Sequence, residues 1–259
     1  MLQTRVMPCL LLDQGKLVKT TQFKKARYVG DPINAVRIYN EKEVDEIIIL
    51  DIKASDDKNQ IDFDLIEKIS TECFIPITYG GGVNTINDFR TLYKLGVEKV
   101  SINHAAIGTP SLISEAASVF GSQSVLVTID IKKRFFNKKY SVYKSRGKQC
   151  LKIHPVEYAK QVEKLGAGEL LLNFIDSEGT WSGFDLDIIR EITQAVNIPV
   201  IVVGGAGHLQ HIQQAVLKGG ASAVALGSMA VFQGQDLGVL IRFPKQDEFK
   251  KLFNNENRK

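Results

Sequence analysis

Eight short apolar runs recur along the chain and constrain its fold more than any other feature. They are rich in Val, Ile and Leu and cover residues 5–12, 46–52, 75–79, 99–103, 124–130, 169–175, 199–203 and 223–227. Amphipathic stretches with helical period, such as 86–95 and 209–217, separate most of them. Alternating strands and helices predict a parallel sheet, and eight such units close into a (β/α)8 barrel.

An internal repeat favours one closed barrel over two separate domains. Matching residues lie 123 positions apart in four places: Glu46 with Glu169, Ile75-Pro76 with Ile198-Pro199, Gly81-Gly82 with Gly204-Gly205, and Gly96 with Gly219. We therefore predict a single TIM barrel over residues 1–259, built from two half-barrels of about 1–120 and 121–259. A doubly wound sheet is the competing fold.

Residues 132–151 interrupt the alternation of strands and helices. Two short stretches, 133–136 and 140–143, are followed by Arg146-Gly147, which is typical of a β-hairpin. An excursion after the fifth strand is expected to lie over the C-terminal mouth of the barrel, where function usually resides.

Composition excludes several classes of function. The formal charge of +4 comes from scattered Lys and Arg residues, so no basic stripe predicts nucleic-acid binding. The three cysteines, Cys9, Cys73 and Cys150, lack metal or disulfide spacing, which favours a reducing cytoplasmic setting. His208 and His211 are three residues apart, but no further ligand completes a metal site. We predict no metal, no cofactor, no membrane span and no secretion signal.

Glycine-rich segments follow strands in both halves of the predicted barrel. Gly80-Gly81-Gly82 follows the third strand and Gly204-Gly205-Ala206-Gly207 the seventh, while the eighth ends in Leu226-Gly227-Ser228. Backbone N–H groups in such turns bind phosphate. The repeat places Asn103 with the first glycine segment, which predicts two phosphate sites on opposite sides of one mouth. The simpler interpretation is that these glycines only make tight turns.

Three aspartates end or follow strands at the mouth. Asp130 ends the fifth strand and is the strongest general acid–base candidate. Asp51, which ends the second strand, and Asp176, which follows the sixth, are weaker candidates. The alternative for Asp130 is a helix cap or a salt bridge to Lys132 or Lys133.

Charged residues begin four of the predicted strands, at the opposite end of the barrel. They are Arg5, Glu46, Lys99 and Glu169. Buried charges are costly unless they are paired, so the four are expected to form a ring across the barrel floor. Such a ring serves either as a structural plug or as a polar gate for a small molecule.

These motifs together resemble HisF, the cyclase subunit of imidazole glycerol phosphate synthase. The resemblance runs from the first residue to about Phe232 and rests on Pro8-Cys9-Leu10, Val18-Lys19, Gly30-Asp31-Pro32, Leu50-Asp51-Ile52, Gly80-Gly81-Gly82, Val100-Ser101-Ile102-Asn103, Ile129-Asp130 and Gly204-Gly205-Ala206-Gly207. It implies that a HisH-like glutaminase docks on the floor to form a heterodimer. It also implies a carbon–nitrogen lyase and cyclase reaction between ammonia and a ribulosyl carboxamide ribonucleotide with two phosphates.

The resemblance also assigns roles to individual residues. Arg5, Glu46, Lys99 and Glu169 match the family's ammonia gate, and Glu98 matches an acidic docking position. Lys19, on a mobile loop after the first strand, matches a lysine that contacts substrate. The phosphate sites match through Gly82, Asn103, Gly179, Gly205 and Ser228.

The chain departs from the family pattern at several mouth positions. Leu11 stands where the first catalytic aspartate is expected, and Asp13, two residues on, is the available replacement on the same strand face. Lys53 replaces a small hydroxyl residue and His104 a threonine. Glu178 replaces an aspartate, and Val203 replaces a serine.

Leu11 and the N-terminal motifs resemble a HisF-like branch associated with surface-polysaccharide gene clusters. That resemblance implies that the barrel passes ammonia to an ATP-dependent sugar amidotransferase, which forms an acetamidino sugar of lipopolysaccharide from a phosphorylated or nucleotide-linked sugar. One alternative is a working histidine-pathway cyclase in which Asp13 or Asp51 replaces the missing aspartate. Another is a non-catalytic ammonia conduit that only activates its glutaminase.

Overall fold

A computed structural model describes residues 4–54, 60–134, 139–235, 238–245, 248–249 and 252–253, so both ends of the predicted 1–259 unit lie outside the described residues. Its strands are β1 (Arg5–Asp13), β2 (Lys16–Thr21), β3 (Lys24–Gly30), β4 (Ile47–Asp51), β5 (Ile77–Gly80), β6 (Lys99–Ile102), β7 (Val125–Lys133), β8 (Tyr140–Lys144), β9 (Gln149–Cys150), β10 (Glu169–Phe174), β11 (Val200–Val203) and β12 (Ala223–Leu226). Eight of these strands coincide with the eight apolar runs of the sequence.

Helices follow the barrel strands in turn. They are α1 (Pro32–Glu41), α2 (Phe63–Glu72), α3 (Ile86–Lys94), α4 (His104–Gly108), α5 (Ser111–Phe120), α6 (Pro155–Lys164), α7 (Leu186–Thr193), α8 (Leu209–Leu217) and α9 (Ser228–Val231). Local capping sets several of their starts. Asp31 caps α1 ahead of Pro32, and Thr85 and Asp88 form a reciprocal capping box on α3. Among the described residues, no helix has the length and apolarity needed to cross a membrane.

The eight main strands form one closed parallel barrel. Their order is β1, β4, β5, β6, β7, β10, β11 and β12, and β12 returns to pair with β1. The β7–β10 pairing, from Leu126 beside Glu169 to Ile131 beside Phe174, joins the two halves. The (β/α)8 prediction is confirmed, and the doubly wound alternative is wrong because the sheet has no open edge between these strands.

Successive residues of each barrel strand alternate between two apolar layers. The larger layer lies between the strands and the surrounding helices and includes Leu10, Ile49 and Leu170. The smaller fills the lumen and consists of Met7, Cys9, Ile48, Leu126, Leu171, Ile201, Val203, Ala223 and Ala225, with Leu11 and Leu50 packed against it. A side-chain period of two fixes which residues face the lumen, so the register sets every lumen-facing position.

The repeat recurs in the backbone hydrogen bonding. The Pro76 carbonyl accepts from the Ile47 amide at 2.9 Å, and the Pro199 carbonyl accepts from the Leu170 amide at 2.9 Å. The two donors are 123 residues apart, and so are the two acceptors. The division into half-barrels at about residue 120 stays a prediction.

Two β-hairpins extend beyond the barrel at the mouth. The second hairpin, in which β8 pairs with the end of β7 and with β9, confirms the hairpin predicted for residues 132–151, of which 135–138 lie outside the described part. The first hairpin consists of β2 and β3, residues 16–30, and β2 pairs with β1. Its strands replace the mobile loop expected after the first strand.

Candidate active site at the barrel mouth

A cavity of about 740 Å³ opens at the C-terminal ends of the barrel strands. Six of the residues predicted for the site line it: Asp13, Asp51, Gly81, Gly82, Asn103 and Asp130. Three positions that depart from the family pattern, Leu11, Lys53 and His104, line it as well. The cavity is large enough for a phosphorylated sugar derivative.

Asp130 lies near the end of β7 with its carboxylate turned into the barrel. Only 7% of the residue is exposed, and Asn173 on β10 donates its side-chain amide to Oδ1 at 3.2 Å. Burial raises the pKa of Asp130 to about 7, although the Asn173 hydrogen bond lowers it in part. A carboxyl group with this pKa can both accept and donate a proton near neutral pH.

Asp51, at the end of β4, organises the loop that follows it. Its Oδ1 accepts from the backbone amides of Lys53 at 2.9 Å and Ala54 at 3.0 Å. Burial raises the pKa of Asp51, and those two hydrogen bonds oppose the rise. Gly81 packs so closely that a Cβ on it would overlap the Asp51 carbonyl oxygen. Asp51 therefore shapes the cavity wall in addition to lining it.

Leu11 and Asp13 occupy successive inward positions of β1. Leu11 pairs with Leu50 on β4 and packs against the apolar lumen layer. Asp13 lies two residues further along, where β1 pairs with the first hairpin at Lys16. The carboxylate at position 13 reaches the cavity about 7 Å further along the strand than position 11.

The first predicted anion site, defined by Gly81, Gly82 and Asn103, lines the cavity. Both glycines have positive φ, at 120° and 74°, which turns the chain sharply after β5. The Asn103 side-chain amide donates to the Thr128 carbonyl at 2.9 Å. This bond fixes Asn103 at the start of the short helix α4, next to the glycine turn.

The second predicted anion site lies under the first hairpin and outside the residues that line the cavity. It comprises Gly179, Gly204, Gly205, Gly227 and Ser228. A Cβ on Gly179 would meet the Thr20 carbonyl of the hairpin at 2.5 Å. The two anion sites therefore differ in access, although the repeat places them symmetrically.

Lys19 is a buried residue of strand β2 in the first hairpin. The residue is 3% exposed, and its Nζ donates to the Cys9 carbonyl inside the barrel. Burial lowers the pKa of Lys19, while the nearby Cys9 and Glu178 raise it. The ammonium lies 3.6 Å from the point that a Cβ on Gly227 would occupy, next to the second anion site. Its role in substrate binding stays a prediction.

Asp176 joins the two hairpins and does not line the cavity. Its Oδ2 accepts from the Lys133 amide at 2.8 Å, and its carbonyl accepts from the Gln22 side chain at 2.8 Å. The residue is exposed. Asp176 therefore makes a structural contact between the two hairpins. Its role in ligand binding stays a prediction, and the residue makes no contact with the cavity.

The charged ring predicted for the floor is present as a closed cycle of ion pairs. Arg5 bonds to Glu46 Oε2 at 2.9 Å and to Glu169 Oε1, and Lys99 bonds to Glu46 Oε2 at 2.9 Å and Glu169 Oε2 at 2.8 Å. Glu46 also accepts from Thr78 Oγ1 at 2.5 Å. The two glutamates are buried, whereas the cations are partly exposed on the floor and the neighbouring Glu98 is exposed.

Polar side chains continue from this floor ring up one side of the lumen. Ser101 on β6 shares a 2.7 Å hydrogen bond with Thr128 on β7, and both line the lower part of the mouth cavity. The Thr78 hydroxyl thus lies at the ring, and the hydroxyls of Ser101 and Thr128 lie between the ring and Asp130. This side of the lumen offers hydrogen bonds to a small polar molecule, while the opposite side is apolar.

Sequence reasoning missed Asn173, Thr128 and the hairpin residues of the site. A signal existed for the first two, because Asn173 shares the inward register of Glu169 and Thr128 that of Asp130. Residues from both hairpins also line the cavity: Thr20, Phe23, Lys25, Ala26, Ser145, Arg146 and Lys148. Only the tertiary arrangement reveals these contributions.

The closed (β/α)8 barrel, the buried Asp130 carboxyl group at its mouth and the charged ring at its floor define the class as a TIM-barrel protein with a candidate active site at the mouth. The model of a family described as "Histidine biosynthesis protein" matches residues 5–236. The chain belongs to this family, among its HisF members.

Curated relatives agree with this assignment over nearly the whole chain. The putative imidazole glycerol phosphate synthase subunit hisF2 of Pseudomonas aeruginosa is 47% identical over 244 residues, which is 94% of this chain and 97% of that protein. The putative subunit hisF3 of Vibrio vulnificus is 43% identical over 251 residues, 97% and 96% of the two chains. The imidazole glycerol phosphate synthase subunit HisF of Clostridium botulinum strain Langeland is 40% identical over 249 residues, 96% and 98%.

These relatives confirm the predicted HisF family. None of their names refers to a surface polysaccharide, so they do not support the narrower prediction of a sugar-amidation branch.

Proposed function

We propose that this HisF-type chain is the ammonia-using cyclase subunit of an imidazole glycerol phosphate synthase. The observation that carries the proposal is Asp130, whose buried carboxyl group has a pKa of about 7 and lies where the lumen meets the mouth cavity. Of the functions considered from the sequence, the histidine-pathway cyclase also has the most support from the curated relatives.

Ammonia enters at the floor and reacts at the mouth. A HisH-like glutaminase docks against the floor near Glu98 and releases ammonia at the ring of Arg5, Glu46, Lys99 and Glu169. The ring opens by separation of one ion pair, and the lumen hydroxyls accompany the molecule to the cavity. The apolar side of the lumen excludes water from this route.

The mouth holds the phosphorylated substrate and moves protons. The two anion sites bind its terminal phosphates through backbone N–H groups, Asn103 and Ser228. Asp130 as a carboxylate accepts a proton when the ammonia nitrogen attacks the substrate. As a carboxylic acid it returns a proton to the leaving nitrogen when the carbon–nitrogen bond breaks. Asp13 is the available second carboxylate.

Turnover with ammonium ions tests the proposal without the glutaminase. The purified chain, the ribulosyl carboxamide ribonucleotide and ammonium salt are incubated, and product is followed by chromatography. We expect turnover of about 1–10³ s⁻¹, the range of most enzymes, and its loss in Asp130→Asn. A folded chain that binds the substrate but forms no product would reject the proposal.

Leu11 favours a second candidate, in which the barrel supplies ammonia for amidation of another sugar. Here an aliphatic side chain lines the cavity where the family's pattern has a carboxylate, so proton transfer at that point is lost. The acceptor is then a phosphorylated or nucleotide-linked sugar, and an ATP-dependent sugar amidotransferase forms the acetamidino product for lipopolysaccharide.

The variant Leu11→Asp separates the two candidates. If the unmodified chain does not turn over the histidine-pathway substrate and Leu11→Asp does, the second candidate is favoured. A chain that stimulates a HisH-like glutaminase while neither form has turnover of its own would indicate the ammonia conduit.

A further inference from the structure

Glu178, in the loop after β10, fastens the first hairpin over half of the mouth. Its Oε1 accepts from Thr20 Oγ1 at 3.1 Å, and its Oε2 accepts from the Phe23 amide at 3.1 Å. Its own carbonyl accepts from the Gln22 amide at 2.9 Å. The carboxylate is buried, so these hydrogen bonds are protected from competition with water.

Lys19 precedes this fastened segment by one residue. Its ammonium group is directed into the barrel beside Gly227, and in the part of the chain that the structure describes its hydrogen-bond acceptor is the Cys9 carbonyl. An ammonium group has three donors. Two donors therefore remain for an anion at the second anion site, where a buried positive charge gains most from pairing.

We propose that Glu178 is a positioning residue that holds the first hairpin closed and thereby keeps the Lys19 ammonium at the second anion site, ready to bind a phosphate group of the ligand. The proposal rests on the proposed function to the extent that this ligand is the phosphorylated substrate. Glu178 itself faces the hairpin and does not line the cavity.

Side-chain length explains why a glutamate suits this position. The loop backbone is already joined to the hairpin through the Gln22 amide, and Glu178 extends further to reach the Phe23 amide and the Thr20 hydroxyl on either side of it. An aspartate, one methylene shorter, reaches less far. Glu178 is thus a departure from the family pattern that also closes this hairpin.

Limited proteolysis measures hairpin closure without any activity. The tip of the first hairpin carries three exposed trypsin sites, Lys24, Lys25 and Arg27. Loss of both side-chain hydrogen bonds in Glu178→Ala is expected to accelerate cleavage there by about tenfold, and inorganic phosphate is expected to slow it in the unmodified chain. The matched control is Glu115→Gln, which removes an exposed carboxylate on α5.

Milder variants keep the test valid if Glu178→Ala does not fold. Glu178→Gln retains one acceptor and presents N–H groups to the second donor, and Thr20→Val removes one hydrogen bond only. Both are expected to show intermediate cleavage rates. Cleavage at the unmodified rate in all three variants would overturn the proposal.

Dependence on Lys19 distinguishes positioning from a general structural role. We expect Glu178→Gln to weaken protection by inorganic phosphate about tenfold and Lys19→Met to abolish it, with no further loss in the double variant. With active enzyme, Glu178→Gln should raise KM about tenfold and change kcat by less than about twofold. If Glu178→Gln reduced the protection by inorganic phosphate equally in the unmodified chain and in Lys19→Met, the proposal would be contradicted.

The two proposals fail in different ways. If the chain has no cyclase activity but Glu178 variants open the hairpin and lose phosphate protection through Lys19, only the proposed function is rejected. If turnover is normal and KM and cleavage are unaffected by Glu178→Gln and Glu178→Ala, only the positioning role is rejected.

Discussion

Asn173 donates its side-chain amide to Oδ1 of Asp130 at 3.2 Å, across two neighbouring barrel strands that are far apart in the sequence. The hydrogen bond favours the ionised carboxylate, whereas burial favours the neutral acid. The balance leaves the pKa of Asp130 at about 7, so both forms are populated at neutral pH. This pair therefore sets the pH range in which the site can exchange protons.

Asp130→Asn should abolish most of the turnover with ammonium. Removal of a general acid–base group typically lowers kcat by about 10²–10⁴. KM should change little, because the anion sites are untouched. A stopped assay at saturating ammonium measures both constants. If kcat of the variant were within about threefold of that of the unmodified chain, Asp130 would be excluded from proton transfer, because such a loss is far smaller than about 10²-fold.

The same substitution should change how stability depends on pH. Asp130 has a pKa of about 7 in the folded chain, above the ordinary value of 3.8, so the folded state binds its proton more strongly. This stabilisation is fully present below about pH 4 and is lost as the pH rises through about 7. Asp130→Asn should therefore be more stable relative to the unmodified chain at pH 8 than at pH 5. Urea denaturation at the two pH values measures the difference.

Asn173→Leu should move the acidic limb of the activity profile. Without the amide donor, burial acts alone and the pKa of Asp130 rises further. Activity that requires the carboxylate would then appear at higher pH, with a smaller change at the alkaline plateau. The control is Asn87→Leu, at an exposed position on α3. An unshifted limb would show that another group controls the profile.

Lys99→Met should destabilise the fold by removing one cation from the floor ring. Arg5 is then the one cation of the ring left to both buried glutamates, and loss of one partner from a buried ion pair costs about 3–5 kcal/mol. Because Lys99 is partly exposed, we expect the lower end of this range. Urea denaturation measures the loss in free energy of unfolding. The control is Lys94→Met, which replaces an exposed lysine on α3.

The same variant tests the gate if a glutaminase partner is added. Glutamine-driven turnover should change relative to ammonium-driven turnover, because ammonium reaches the mouth without crossing the ring. An equal effect on both activities would assign the ring a structural role only.

Gly81→Ala should both destabilise the chain and disturb the first anion site. Its φ of 120° disfavours any side chain, and the added methyl group would overlap the Asp51 carbonyl. We expect a loss of about 2 kcal/mol or more, as for substitutions at incompatible backbone conformations. Gly108→Ala is the matched control, because nothing lies within 4 Å of a Cβ there and its φ is ordinary. Equal stability of the two variants would contradict the strain argument.

Residues of the site can be predicted from the sequence where they lie on a barrel strand, because alternation along the strand fixes which residues face the lumen. The apolar runs, each with alternate residues facing the lumen, place Arg5, Glu46, Lys99 and Glu169 at one end of the barrel and Asp130 at the other. The first hairpin was missed for a related reason. The first five residues of β3 are all exposed, and three of them are charged, so the strand shows none of the alternation that marks a half-buried strand.

The sequence by itself determined the barrel, its internal repeat and the charged floor, because each follows from short-range periodicity or from a spacing that repeats. Only the tertiary structure decided that one predicted anion site is open and the other covered, since that depends on how Glu178 meets a hairpin more than 150 residues earlier in the chain. It also decided the pKa of Asp130, because burial and the Asn173 contact exist only when separate strands pack together. Periodicity encodes which face of a strand is inward, but not which distant segment covers it.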